Sequence, residues 1–106
     1  MSVFDFFRKD DINEKLKEYA MYPEALLVDV RTVEEYRQGH IPQAVNVPLS
    51  ELEEIQDLVP DRKKKLFVYC YSGGRSGQAC GYLKQWGYED VTNIGGINRY
   101  RGKTEQ

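Results

Sequence analysis

Apolar positions in this chain fall into two kinds of run, and the kinds alternate. The short, nearly continuous runs are "ALLVDV" (25–30), "AVNVP" (44–48), "KLFVYC" (65–70) and "VTNIGG" (91–96). Runs of this kind read as strands buried on both faces. Between them the apolar residues are spaced. "DDINEKLKEYA" (10–20) opens on capping aspartates and sets Ile12, Leu16 and Tyr19 at helical intervals. "TVEEYRQ" (32–38) is capped by Thr32 and stopped by Gly39. "SELEEIQDLV" (50–59) has Ser50 with Glu53 three residues on, the pattern of a capping box. "RSGQACGYLKQWG" (75–87) lines up Ala79, Leu83 and Trp86 and ends at Gly87.

Strands alternating with helices predict one α/β domain, a parallel sheet of four to five strands with helices on both faces. Its span is 1–106 and its core about 10–102. The aromatic run "FDFF" (4–7) reads as a core-covering strand or turn. In open parallel sheets, functional groups gather beyond the C-terminal ends of the strands. Cys70 is the last residue of the third strand.

Composition removes several function classes. At 106 residues, 41% apolar and 30% charged, the chain has the balance of a single folded domain. No apolar run nears the roughly 20 residues of a membrane span. The N-terminus lacks a long apolar region and a small-residue cleavage site, which predicts a cytoplasmic protein. Cys70 and Cys80 could pair only once, and His40 is the single histidine, so neither a disulfide framework nor a Cys/His zinc cluster is expected. Net charge is −2. Residues 1–61 hold 6 Lys/Arg against 14 Asp/Glu, and residues 62–106 hold 9 against 3. No acid lies between Arg62 and Tyr88, the window that contains Cys70. "RKKK" (62–65) reads as a solvated loop, and with no basic face carrying interleaved aromatics, nucleic-acid binding is not expected.

The loop after Cys70 changes what its thiol can do. A free thiol has a pKa near ~8.5 and is mostly protonated at neutral pH. In "YCYSGGRSGQA" (69–79) the chain must curl tightly from strand to helix, with Gly73 and Gly74 supplying positive φ. Successive amides then form an anion-binding nest, the helix N-terminus adds a partial positive charge of roughly 0.5, and Arg75 adds a full one. All three favour a thiolate, so Cys70 is read as a nucleophile. Cys80, among Ala79, Leu83 and Trp86, is read as core filling. His40 is read as a turn histidine bonded to backbone, because an ionised thiol needs no base.

These residues resemble a single-domain rhodanese, a sulfurtransferase. The segment "LLVDVRTVEEYRQGHIPQAVNVPLSEL" (26–52) is similar to that family's first signature, "VYCYSGGRS" (68–76) to its active-site loop, and "VTNIGGI" (91–97) to its closing segment. The resemblance implies a persulfide carried on Cys70, held by the amides of Tyr71, Ser72, Gly73, Gly74, Arg75 and Ser76. Arg75 would orient an anionic donor, the Ser72 and Ser76 hydroxyls would add hydrogen bonds, and Tyr71 would line the rim. Asp29 and Arg31 would join Glu34 and Glu35 in an ion-paired network. The implied partners are a small anionic sulfur donor and a thiol acceptor, a partner protein's thiol included. Neither a metal nor an organic cofactor is implied, and a monomer is expected. Two positions depart from the family: Gln43 and Tyr100 stand where it often has glycine and tryptophan.

Two rival readings stay open. Phosphatases and arsenate reductases use a similar Cys–loop–Arg cradle, one residue longer than the six from Cys70 to Arg75. A rhodanese-like module can also bind partners without catalysis.

Overall fold

The computed structural model describes residues 11–106. The aromatic run at 4–7 lies outside them. Helix α1 (Ile12–Tyr19) starts where the Asp11 carboxylate accepts from Asn13 N at 2.9 Å. Strand β1 (Leu26–Asp29) leads to α2 (Val33–Gln38), whose N-terminus is a full capping box. Thr32 Oγ1 accepts from Glu35 N at 3.2 Å, and Glu35 Oε1 accepts from Thr32 N at 3.0 Å. Then follow β2 (Val45–Asn46), a 3-10 segment (Leu49–Glu54), α3 (Ile55–Leu58), β3 (Lys65–Cys70), α4 (Gly74–Gln85), β4 (Asp90–Gly96) and a closing 3-10 turn (Ile97–Arg99).

The strands form one parallel sheet in the order β2-β1-β3-β4. β1 and β3 are central, which is why both read as continuous apolar runs: Leu27, Val28 and Leu66 to Tyr69 are fully buried. Alternation along β3 splits its side chains between two cores. Leu66, Val68 and Cys70 join Val28, Val30, Leu52, Ile55, Ala79 and Leu83 on one face. Phe67 and Tyr69 join Ile12, Leu27, Ile41 and Ile94 on the other. Cys70 thus enters from the α4 side of the sheet. Cys80 belongs to the same core, as expected of a packing residue.

The segment 50–59 departs from its predicted single capped helix. Pro48 stands before a 3-10 segment without any side-chain cap, and Glu51 (φ −123°, ψ 24°) interrupts the helical backbone. The cause is tertiary. Leu49 N donates to Val30 O at 3.1 Å, which pins the segment to the sheet before Ser50 can cap anything. Leu52 and Ile55 are both buried, three residues apart, a spacing that suits the tighter turn. β2 also shrinks, from five predicted residues to two.

Other expectations are met with altered partners. His40 donates from Nδ1 to Tyr36 O at 2.9 Å and stacks on the Tyr36 ring, as a turn histidine would. Gln43 keeps a left-handed φ of 75°, the conformation glycine adopts freely, and its Oε1 accepts from Tyr19 OH at 3.1 Å. Tyr100 packs on the second core and donates from its hydroxyl to Lys103 O at 2.7 Å. The ionic network is smaller than expected. Asp29, fully buried, takes Arg31 through Nε and Nη2, and Nη2 also reaches Gly39 O at 2.7 Å. Glu35 points to Arg75 instead, and among the described residues Glu34 takes no part.

Candidate active site

Cys70 ends β3 with its side chain 1% exposed, at the floor of the loop 71–75. Gly73 is the hinge of that loop. Its φ of 105° lies where a side chain is strained, and this turns its N–H back onto Cys70 Sγ at 3.0 Å. Gly74 does not share that conformation: it is already the first residue of α4, so one left-handed residue makes the turn where two were predicted.

Among the described residues no side-chain oxygen caps α4. Sγ stands in that place, taking an orphan N–H and facing the positive end of the helix. Ser76 Oγ, also buried, lies 3.4 Å from Sγ and shares its single proton between Sγ and the nearer Asn93 Oδ1 at 2.7 Å. Burial pushes the thiol up. The Ser76 hydroxyl and the N–H groups of Ser76, Gly73 and Ser72 pull it down further, and the balance falls below the ordinary thiol value. Cys80 shows the opposite outcome: burial pushes it up to about 11, against a small pull from Lys84.

Arg75 stands differently from its predicted role. Its Nη1 donates to Glu35 Oε1 at 2.7 Å and its Nη2 to Oε2 at 3.1 Å, from a residue forty positions away. The acid-free window in the sequence is therefore not acid-free in space. The Arg75 guanidinium, together with the Thr32 N–H and hydroxyl, outweighs burial and holds Glu35 at about 2. The depression of the Cys70 thiol comes from hydrogen bonds. Tyr71 is half-exposed at the rim, and Ser72 is exposed with its backbone turned toward sulfur.

Two residues that sequence reasoning passed over brace the loop. Asn93 lies on β4 beside a register shift against β3, where Val68 pairs with Asn93 and Tyr69 with Gly95. Its Oδ1 accepts from Ser76 Oγ at 2.7 Å and Gly95 N at 3.0 Å, while its Nδ2 donates to Gly73 O at 3.2 Å. Gly96 lies so close beneath the loop that a Cβ there would come within 2.5 Å of Ser72 Cα. The adjacent glycines of "VTNIGG" carried that signal, since glycine inside a strand marks close backbone approach. Nothing in the local sequence marked Asn93.

The fold and sequence have known relatives. The family model described as Rhodanese-like domain matches residues 12–103. Thiosulfate sulfurtransferase PspE of Escherichia coli (strain K12) is 45% identical over 71 residues, covering 66% of this chain and 68% of PspE. A tRNA uridine(34) hydroxylase of Hamiltonella defensa is 34% identical over 101 residues, covering 90% of this chain but only 27% of that protein. Among solved structures, a rhodanese with anions from E. coli superposes with a TM-score of 0.72 at 38% identity, over 77% of this chain and 98% of that one. A thiol at the end of the third parallel strand, folded under a one-hinge amide loop, is thus found in a chain that belongs to the rhodanese-like domain family.

Proposed function

We propose that the protein is a sulfurtransferase that moves a sulfane sulfur from thiosulfate or a persulfide to a thiol acceptor, with cyanide as an acceptor in vitro. The observation that carries this reading is the set of donors converging on Cys70 Sγ, with Gly73 N at 3.0 Å. The Cys70 thiolate attacks the outer sulfur of thiosulfate. The sulfur–sulfur bond of the donor breaks, a new one forms to Cys70, and sulfite leaves with the bonding pair. One negative charge then rests on the terminal persulfide sulfur, where the loop amides stabilise it in a fixed geometry. An acceptor thiolate attacks that outer sulfur, takes it as a persulfide and returns Cys70 as thiolate. These are the two half-reactions of nucleophilic covalent catalysis.

Burial of Cys70 at 1% exposure favours a donor that presents one protruding sulfur atom over a bulkier tetrahedral phosphoryl group. The proposal places the protein as a monomer in a reducing cytoplasm, where acceptor thiols persist. It requires no metal or organic cofactor, and no nucleic acid or membrane. Intact-mass spectrometry after incubation with thiosulfate, and separately with glutathione persulfide, tests it. Gain of one sulfur atom, lost in Cys70→Ser, is the expected result. No adduct with either donor would leave a binding module, and turnover of p-nitrophenyl phosphate without sulfur transfer would point to a phosphatase.

A further inference from the structure

Arg75 follows the loop at the start of α4, and each of its two Nη groups bonds an oxygen of one carboxylate. The Glu35 carboxylate meets them at 2.7 and 3.1 Å. Glu35 cannot swing away without losing its half of the α2 capping box, because Thr32 N and Thr32 Oγ1 donate to the same Oε1 at 3.0 and 3.1 Å. Arg75 of this pair lines a hollow of about 310 Å³ together with Val30, Thr32, Pro48, Leu49 and Ser50. An anion entering there meets a neutralised pair where the sequence promised a free cation. Val30, Pro48 and Leu49 supply aliphatic wall for a carbon body.

We propose that Glu35 is a specificity-determining residue: by occupying Arg75 it weakens the site's preference for a small dianionic donor such as thiosulfate and favours an organic persulfide whose carbon body lies in the aliphatic hollow. This rests on Cys70 as the sulfur-accepting thiol. One unit charge at a partly exposed site changes the encounter with an anion by roughly tenfold. Removing the Glu35 charge should return that factor to anions and leave neutral reagents behind.

The test uses the full chain and the variant Glu35→Gln. Glutamine keeps the acceptor that the capping box needs but not the charge. Cys70 is alkylated with iodoacetate and, separately, iodoacetamide, which differ in charge at similar size. Their rate ratio cancels the nucleophilicity of the thiol itself. Glu35→Gln should raise the iodoacetate-to-iodoacetamide ratio about five- to tenfold, and should raise kcat/KM for thiosulfate through KM by a similar factor. The control Glu34→Gln removes the same charge one residue away and should leave the ratio within about twofold. Equal ratios in the two variants, or a raised ratio without any gain on thiosulfate, would overturn the proposal. If Glu35→Gln does not fold, the wild-type protein decides. A neutralised Arg75 predicts a ratio nearly flat from low to high salt, and a steep fall with salt would show a free cation instead. Alkylation is readable whether or not sulfur is transferred. Failure of wild-type sulfur loading therefore sinks the sulfurtransferase reading, and equal alkylation ratios sink the role of Glu35.

Discussion

Replacing Gly96 by alanine tests whether the loop amides make the thiol reactive. The added Cβ would lie 2.5 Å from Ser72 Cα and 2.5 Å from Asn98 Oδ1, and would overlap the Tyr71 carbonyl. Carbon atoms settle at about 3.5–4.0 Å, so the loop must lift by roughly 1 Å. Two contacts are lost in that movement. Asn98 N no longer holds Tyr71 O, now 3.0 Å away, and Gly73 N moves off Sγ, also now at 3.0 Å. A hydrogen bond to a charged group contributes about 1.5–3 kcal/mol. At about 1.4 kcal/mol per decade, alkylation of Cys70 below the thiol pKa should slow by roughly ten- to a hundredfold. Overpacking costs about 1–3 kcal/mol, which lowers the melting temperature of a domain this size by on the order of 10 °C. Gly81→Ala is the control. That residue is in α4, and among the described residues no atom beyond its chain neighbours and its own helix backbone lies within 4 Å of its would-be Cβ, so alanine should stabilise the helix by up to about 1 kcal/mol and leave the thiol unchanged. The measurements are iodoacetamide kinetics at about pH 6 and thermal unfolding by circular dichroism. If Gly96→Ala reacts and melts like the wild-type protein, the amide cradle is not what activates Cys70.

Further outcomes follow from the same contacts. In the wild-type protein the pH profile of Cys70 alkylation should bend below the ordinary thiol value of ~8.5; an inflection at or above it would contradict the hydrogen-bond account. Cys80→Ala should keep the sulfur-transfer rate within a few-fold, because a thiol raised to about 11 and buried in the core is inert; a collapse of turnover in a folded variant would make Cys80 a resolving group. Arg75→Lys should leave the apparent KM for anionic donors within about twofold, since the pair keeps its net charge and loses only the planar fork's bidentate grip on Glu35; a severalfold rise in KM would show that Arg75 contacts the donor itself. Glu35 is depressed on folding, so its stabilisation is present above the ordinary carboxylate range and is lost as pH falls toward about 2. The stability gap between wild type and Glu35→Gln should therefore close over that interval in acid-unfolding curves, and it should be small throughout because the pair is about one-third exposed. A gap that widened on acidification would refute the pairing.

The order of elements and the place of Cys70 were legible in the sequence because local rules act there. β3 runs from Lys65 to Cys70 as read, since a central parallel strand must be apolar on both faces. Thr32 begins α2 and Gly39 ends it because caps are settled within a few residues. The hinge at Gly73 follows from the need for a positive φ in so short a turn. What the sequence could not settle depends on residues far apart in the chain. Ser50 and Glu53 have the spacing of a capping box, yet the bond from Leu49 N to Val30 O decides that segment first. Arg75 looked like a free cation in an acid-free stretch until the capping of α2 carried Glu35 to it. Asn93 and Ser76 meet only because β4 pairs with β3 through a shifted register. Hydrophobic period and capping are properties of neighbouring residues and survive in a one-dimensional reading. The electrostatic field at a sulfur is a sum over everything within several ångströms, and only the folded chain decides what that includes.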